Sequence, residues 1–88
     1  MNQNNRTFKR KPWQKECLLV NEFGLIETQT VDRSKMGLGL KIDSALPFKN
    51  GSELAVFIPG MNLPQGKLIW TKKDFNNTTR LGLKFLLA

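Results

Sequence analysis

Apolar residues recur at every second position in short bursts along this chain. The clearest are Leu38, Leu40 and Ile42, then Leu54, Val56 and Ile58, then Leu81, Leu83 and Phe85. Alternation with period two puts each set on one face of an extended segment, so each burst reads as a β-strand with one face to bury. Six runs of strand length follow, over residues 13–21, 24–31, 37–43, 53–59, 67–73 and 79–86. Between them lie Asn21-Glu22-Phe23-Gly24, Lys49-Asn50-Gly51, Pro59-Gly60, Pro64-Gln65-Gly66 and Asn76-Asn77. Each of these offers a residue that tolerates positive φ or has its φ fixed, which is what a tight turn needs. Helix has little support: only three alanines occur, and turn signals recur too often for a capped 3.6-period stretch. Six one-faced strands can hide their faces only by closing on themselves or by forming two layers. The expected fold is all-β, a small six-stranded antiparallel barrel.

Length and composition narrow the chemistry. Eighty-eight residues hold one modest core and leave no room for two domains. There is no histidine and a single cysteine, Cys17. That removes the usual zinc ligand sets, Ser-His and Cys-His nucleophile pairs and imidazole acid–base work, so neither an enzyme nor a metal or cofactor site is expected. Cys17 lies in the run Cys17-Leu18-Leu19-Val20 and reads as a buried core thiol in a reducing compartment. No apolar run is long enough to span a membrane, and no apolar segment follows the opening charges as in a secretory signal. Cytoplasm is the expected location, with no membrane insertion.

Charge adds a partner. Fourteen basic residues against seven acidic ones leave a net charge of +7, which predicts an anionic ligand or surface. Five of the basic groups, Arg6, Lys9, Arg10, Lys11 and Lys15, crowd into the first 15 residues, which are Asn-rich and carry no acid. Such a segment buries too little apolar area to order itself. Residues 1–12 are therefore expected to be a flexible arm, and residues 13–88 the barrel.

Two patterns carry candidate chemistry. In Arg6-Thr7-Phe8-Lys9-Arg10, two arginines stand four apart, about 13 Å along an extended segment and on one face of it. The guanidinium fork donates paired hydrogen bonds to a phosphate or to the O6/N7 edge of guanine, although the same residues also suit a solvated basic tail. The second pattern, Asp32-Arg33-Ser34-Lys35-Met36-Gly37, falls between a strand and the next apolar run. It can close a loop, with the carboxylate capping backbone amides and Gly37 in the left-handed conformation. Alternatively the carboxylate accepts two hydrogen bonds from the N1/N2 edge of guanine, Ser34 reaches a phosphate or amine, and Gly37 lets the backbone approach the ligand.

Order and spacing join the two. A pair of arginines, 21 residues and then D-x-S-x-x-G resembles the PilZ domain, whose signature is R-x-x-x-R followed by D/N-x-S-x-x-G. The likeness covers nearly the whole chain. Gly37-Leu38-Gly39-Leu40 resembles the family's third strand, and Leu46-Pro47 with Gly51-Ser52-Glu53-Leu54-Ala55-Val56 its loop and next strand. Gly66-Lys67-Leu68-Ile69-Trp70 is similar to its G-x-V-x-W strand, and Arg80-Leu81-Gly82-Leu83-Lys84-Phe85 to its closing R-x-G-V/I/L-x-F. The resemblance implies a barrel that binds the bacterial second messenger cyclic di-GMP without catalysis. Arg6 and Arg10 would grip guanine and phosphate, Asp32 would read a guanine edge, Ser34 would bond beside it and Gly37 would shape the loop. Many relatives carry a C-terminal helix and an output domain in the same chain. With neither expected after Leu86-Leu87-Ala88, one barrel end should lie open and the signal should pass to a separate effector protein.

Secondary contacts are expected from Lys9, Arg33 and Trp70. Alternation turns Arg33 and Lys35 away from Asp32 and Ser34, toward solvent or a phosphate. Trp70 suits the core or the barrel rim, or else a stacking platform, and Lys72-Lys73 a charged strand end. Two rivals stand beside the receptor. One is a barrel that binds single-stranded nucleic acid through basic and aromatic side chains such as Phe8 and Trp13; it gives Asp32 no reason to sit in the site. The other is a PilZ-like adaptor that binds only protein.

Overall fold

The computed structural model describes residues 9–44, 46–74 and 76–86. It contains seven strands: β1 (Lys11–Pro12), β2 (Glu16–Asn21), β3 (Gly24–Ser34), β4 (Gly37–Ile42), β5 (Glu53–Phe57), β6 (Gly66–Lys73) and β7 (Thr79–Phe85). Strands β3-β2-β5-β6-β7-β4 pair in that order, and β4 returns to β3, which closes a six-stranded antiparallel barrel. The extra strand β1 lies beside β3, with Lys11 opposite Arg33 and Pro12 opposite Asp32. The barrel is the fold that the alternation predicts. No helix occurs among the described residues.

The inward positions are those of the period-two bursts. Leu38, Leu40, Leu54, Leu68 and Leu81 are wholly buried, and Leu83, Ile42, Val56, Ile58 and Phe85 nearly so. Burying each such side chain contributes about 1.5–3 kcal/mol, so this single cluster is the main stabilising term. Cys17 belongs to it. Burial pushes its thiol above the ordinary value of 9.0. The neighbouring Thr28 hydroxyl and the Phe57 backbone pull it back in part, although no hydrogen bond of good geometry joins Thr28 to the thiol.

Several local expectations are revised. The turn at Glu22-Phe23 needs no positive φ: Asn21 and Gly24 face each other, and Asn21 Oδ1 accepts the Phe23 N–H at 2.8 Å. Positive φ does occur at Gly51, Gly60 and Asn77, with values of 92°, 80° and 59°. Asp32 and Ser34 are not in a loop, because β3 runs through both and only Lys35-Met36 turn the chain. A bulge at Val31 inserts one residue and reverses the facing pattern, so that Asp32 turns outward where Thr30 turns inward. Lys11 and Pro12, assigned to the arm by composition, form β1.

The approach to β2 is held by one buried hydroxyl. Thr30 Oγ1 donates to the Trp13 carbonyl at 2.6 Å and accepts the Lys15 N–H at 2.7 Å. Thr30 N–H donates to the Lys15 carbonyl at 2.8 Å, and Trp13 N–H to the Val31 carbonyl at 3.0 Å. These bonds fasten residues 13–15 to β3 and so set where Arg10 lies.

Candidate ligand-binding site on the barrel wall

Register builds the site. Asp32, Gly39, Gly82 and Trp70 stand side by side on β3, β4, β7 and β6. Their neighbours Leu38, Leu40, Leu81 and Leu83 point inward, so this row faces outward. The two central positions are glycine because the outer side chains lie across them. A Cβ on Gly39 would sit 2.6 Å from Asp32 Oδ1, and one on Gly82 would collide with the five-membered ring of Trp70. A carboxylate edge and an indole therefore cover adjacent strands, about 5 Å apart laterally.

Arg10 completes one end. Its Nε donates to Asp32 Oδ1 at 2.9 Å across a sequence separation of 22 residues. The pair is only partly screened from water, with side-chain exposures of 47% and 27%. Among the described residues, Asp32 Oδ2 and the two terminal nitrogens of Arg10 have no hydrogen-bond partner. One pair thus presents an acceptor and several donors side by side.

Cations flank the row. Lys41, Arg80 and Lys72 form the next outward row on β4, β7 and β6, and Lys84 and Lys67 lie on the other side, beyond Gly39 and Gly82. Arg80 makes a long surface contact with Asp74, 3.9 Å. A second basic feature opens at the hairpin end, a cleft of about 440 Å³ lined by Lys9, Lys11, Arg33 and Lys35 together with Trp13 and Ser34. Lys11 and Arg33 are direct cross-strand partners. Like charges so placed repel, and an anion between them would relieve the repulsion. Arg33 is steered there by Trp13, with its guanidinium carbon 4.7 Å from the ring centroid.

The candidate residues divide accordingly. Arg10 and Asp32 meet, and Trp70 shares the outer row with them. Trp70 is neither core nor rim: the residue is 42% exposed and stands mid-strand in the outward row of the barrel wall. Lys9, Arg33 and Lys35 line the cleft, and Ser34 lines it with them instead of standing apart as strict alternation predicts. Ser34 is itself buried, and its Oγ accepts the Met36 N–H at 3.2 Å, so it closes the hairpin and keeps its own proton for donation. Among the described residues Asp32 caps no backbone amide; its partner is Arg10. Gly37 is not left-handed, and its requirement is steric, because a Cβ there would strike the Leu83 carbonyl oxygen of β7. Arg6 lies outside the described residues.

Gly39, Gly82, Arg80 and Lys84 enter the sequence reading only as parts of strand motifs, and Lys41 does not enter it at all. Their shared face depends on the pairing of three strands, which no local pattern reveals. No group of His, Cys, Asp and Glu suited to a metal ion occurs among the described residues. No helix among them is long and apolar enough to cross a membrane. No family model and no curated protein matches the chain.

Proposed function

We propose that this chain is a cyclic di-GMP receptor of the PilZ type, which binds the dinucleotide on the outer barrel wall and performs no catalysis. The observation that carries the reading is the Arg10–Asp32 pair, 2.9 Å apart and set over the glycine floor. A guanine needs a carboxylate for its N1/N2 edge, donors for its O6/N7 edge and an aromatic face to stack on. Asp32, Arg10 and Trp70 supply these side by side. Two phosphates need cations: Lys9, Arg33 and Lys35 offer them at the cleft, and Lys41 and Arg80 beside the row. Ser34 donates to a phosphate or amine at the cleft, and Gly37 keeps β4 close against β7.

Arg6 joins Arg10 on the ligand when the arm folds over the site. With β1 already paired, the ordering that transmits the signal concerns the part of the arm ahead of β1. Its entropic cost is offset by charge-assisted bonds, and an effector protein reads the ordered arm in the cytoplasm. NMR mapping tests the site. Added cyclic di-GMP should shift the amides of Asp32, Gly39 and Gly82 and the Trp70 indole N–H, and shifts confined to other strands would refute it.

One observation also favours single-stranded nucleic acid: the lateral row Lys41, Arg80 and Lys72 beside an exposed indole. Salt separates the readings. Affinity for a two-phosphate ligand falls with log–log slope of at most about two, and that for an oligonucleotide more steeply.

A further inference from the structure

At the end of β3 away from Asp32, part of one edge is left unpaired. Strand β4 joins β3 only from Gln29 onward, so residues 24–28 have β2 on one side and no strand on the other among the described residues. Asn21 and Gly24 close a two-residue hairpin, which makes them a hydrogen-bonded pair and directs the backbone groups of residues 24, 26 and 28 at β2. Thr30 N–H, bonded to the Lys15 carbonyl, keeps the same parity. The N–H and C=O groups of Leu25 and Glu27 therefore aim at the open side.

A groove of about 600 Å³ runs beside this edge, between Glu27 and Thr28 of β3 and Lys41, Ile42 and Asp43 where β4 ends. Phe57 and Leu25, both more than half exposed, give the neighbourhood an apolar surface. Three carboxylates, Glu16, Glu27 and Asp43, stand on the groove against one ammonium, Lys41. This is acidic ground on a chain with twice as many basic as acidic residues. Thr28 lines the groove with its side chain buried, and its Oγ1 has no hydrogen-bond partner among the described residues. A buried hydroxyl without a partner is unfavourable by about 1–3 kcal/mol, which an incoming polar group would remove.

We infer that this edge and groove bind an extended basic peptide segment of a partner protein, which adds to β3 as a strand. Backbone bonds to Leu25 and Glu27 supply affinity. Alternate lysine or arginine side chains of the segment lie along Glu27 and Glu16 on the outer face, and the intervening side chains enter the groove toward Thr28 and Ile42. A second copy of this chain is disfavoured as the occupant, because pairing edge to edge sets one carboxylate rim against the other. The inference stands independently of the nucleotide reading: of the groove's residues only Lys41 also flanks the nucleotide row, and it takes no part in holding the peptide.

The probe is an acetylated and amidated octapeptide of alternating lysine and valine with one central valine replaced by threonine, added to the full chain. Hydrogen exchange followed by NMR reads the outcome. At saturation the Leu25 and Glu27 amides should gain at least about tenfold protection, with no comparable gain for the glutamate–valine counterpart. Glu27→Lys and Glu16→Lys, both at exposed positions, should each weaken binding by about tenfold. Unchanged exchange at Leu25 and Glu27 would overturn the inference. So would equal binding of the acidic peptide, or protection that grows with protein concentration alone and assigns the edge to a second copy.

Discussion

Arg10 Nε donates to Asp32 Oδ1 at 2.9 Å, which ties the residue before β1 to the bulged end of β3. In water so exposed a pair adds at most about 1 kcal/mol to stability. Its importance under the receptor reading lies in binding, where both groups would be desolvated by the ligand. Arg10→Ala should therefore weaken cyclic di-GMP binding by about 2–4 kcal/mol, roughly 30- to 1000-fold, and Asp32→Ala by a comparable amount. Thermal melts should barely move. Lys11→Ala, which removes one exposed charge, should have a far smaller effect on affinity, and equal losses in all three variants would remove the claim of a specific site.

Gly39 and Gly37 should fail in different ways. An added Cβ at Gly39 meets the mobile end of Asp32, 2.6 Å from Oδ1, so Gly39→Ala should displace the carboxylate and cut affinity while the fold survives. At Gly37 the obstacle is the Leu83 carbonyl, backbone that cannot rotate aside. Gly37→Ala should destabilise the barrel by about 1–3 kcal/mol or more. Urea denaturation of both variants beside a binding assay checks the contrast, and a Gly37→Ala protein as stable as the parent would contradict it.

Thr30→Val keeps shape and removes the hydroxyl that joins Trp13 and Lys15 to β3. It leaves a backbone carbonyl and an N–H without that partner, at a cost of about 1–3 kcal/mol. Because the same bonds set the position of Arg10, affinity for the nucleotide should fall as well. Denaturation and binding measured on one preparation would show whether both losses occur; a stability loss with intact binding would uncouple the clamp from the site.

Cys17 makes the alkaline prediction. Burial raises its folded pKa above 9.0, so folding favours the neutral thiol. Its contribution to stability is complete below the unfolded pKa and is lost as pH rises through the folded value. Cys17→Ala should therefore lose less stability than the parent as pH rises above the ordinary thiol value of 9.0. Parallel urea midpoints for the two proteins over that range would contradict the assignment. At neutral pH, thiol reagents should label Cys17 slowly until the chain is unfolded.

The strands and the core were legible because alternation is local: Leu38, Leu40 and Ile42 announce their face without reference to any other segment. The residues that form the outer row were only partly so. Asp32 and Arg10 could be named from their residue types and spacing, whereas Gly39 and Gly82 acquire meaning only when β4 pairs with β7 and the Asp32 and Trp70 side chains cross them. The bulge at Val31 and the register shift between Leu68 and Trp70 likewise depend on the partner strands. Strand β1 escaped notice because two residues, one of them Pro12, carry no periodicity, and it is recruited by β3 and by the Thr30 bonds nearby.

The central claim is that this barrel wall takes cyclic di-GMP. Calorimetric titration of the full chain with the dinucleotide, beside GTP and a short poly-U strand, at low and physiological salt, tests it most directly. The account predicts saturable heat with cyclic di-GMP alone, weakened only mildly by salt and lost in Asp32→Ala. Binding of the oligonucleotide with none of the dinucleotide, or no heat from any of the three, would contradict it.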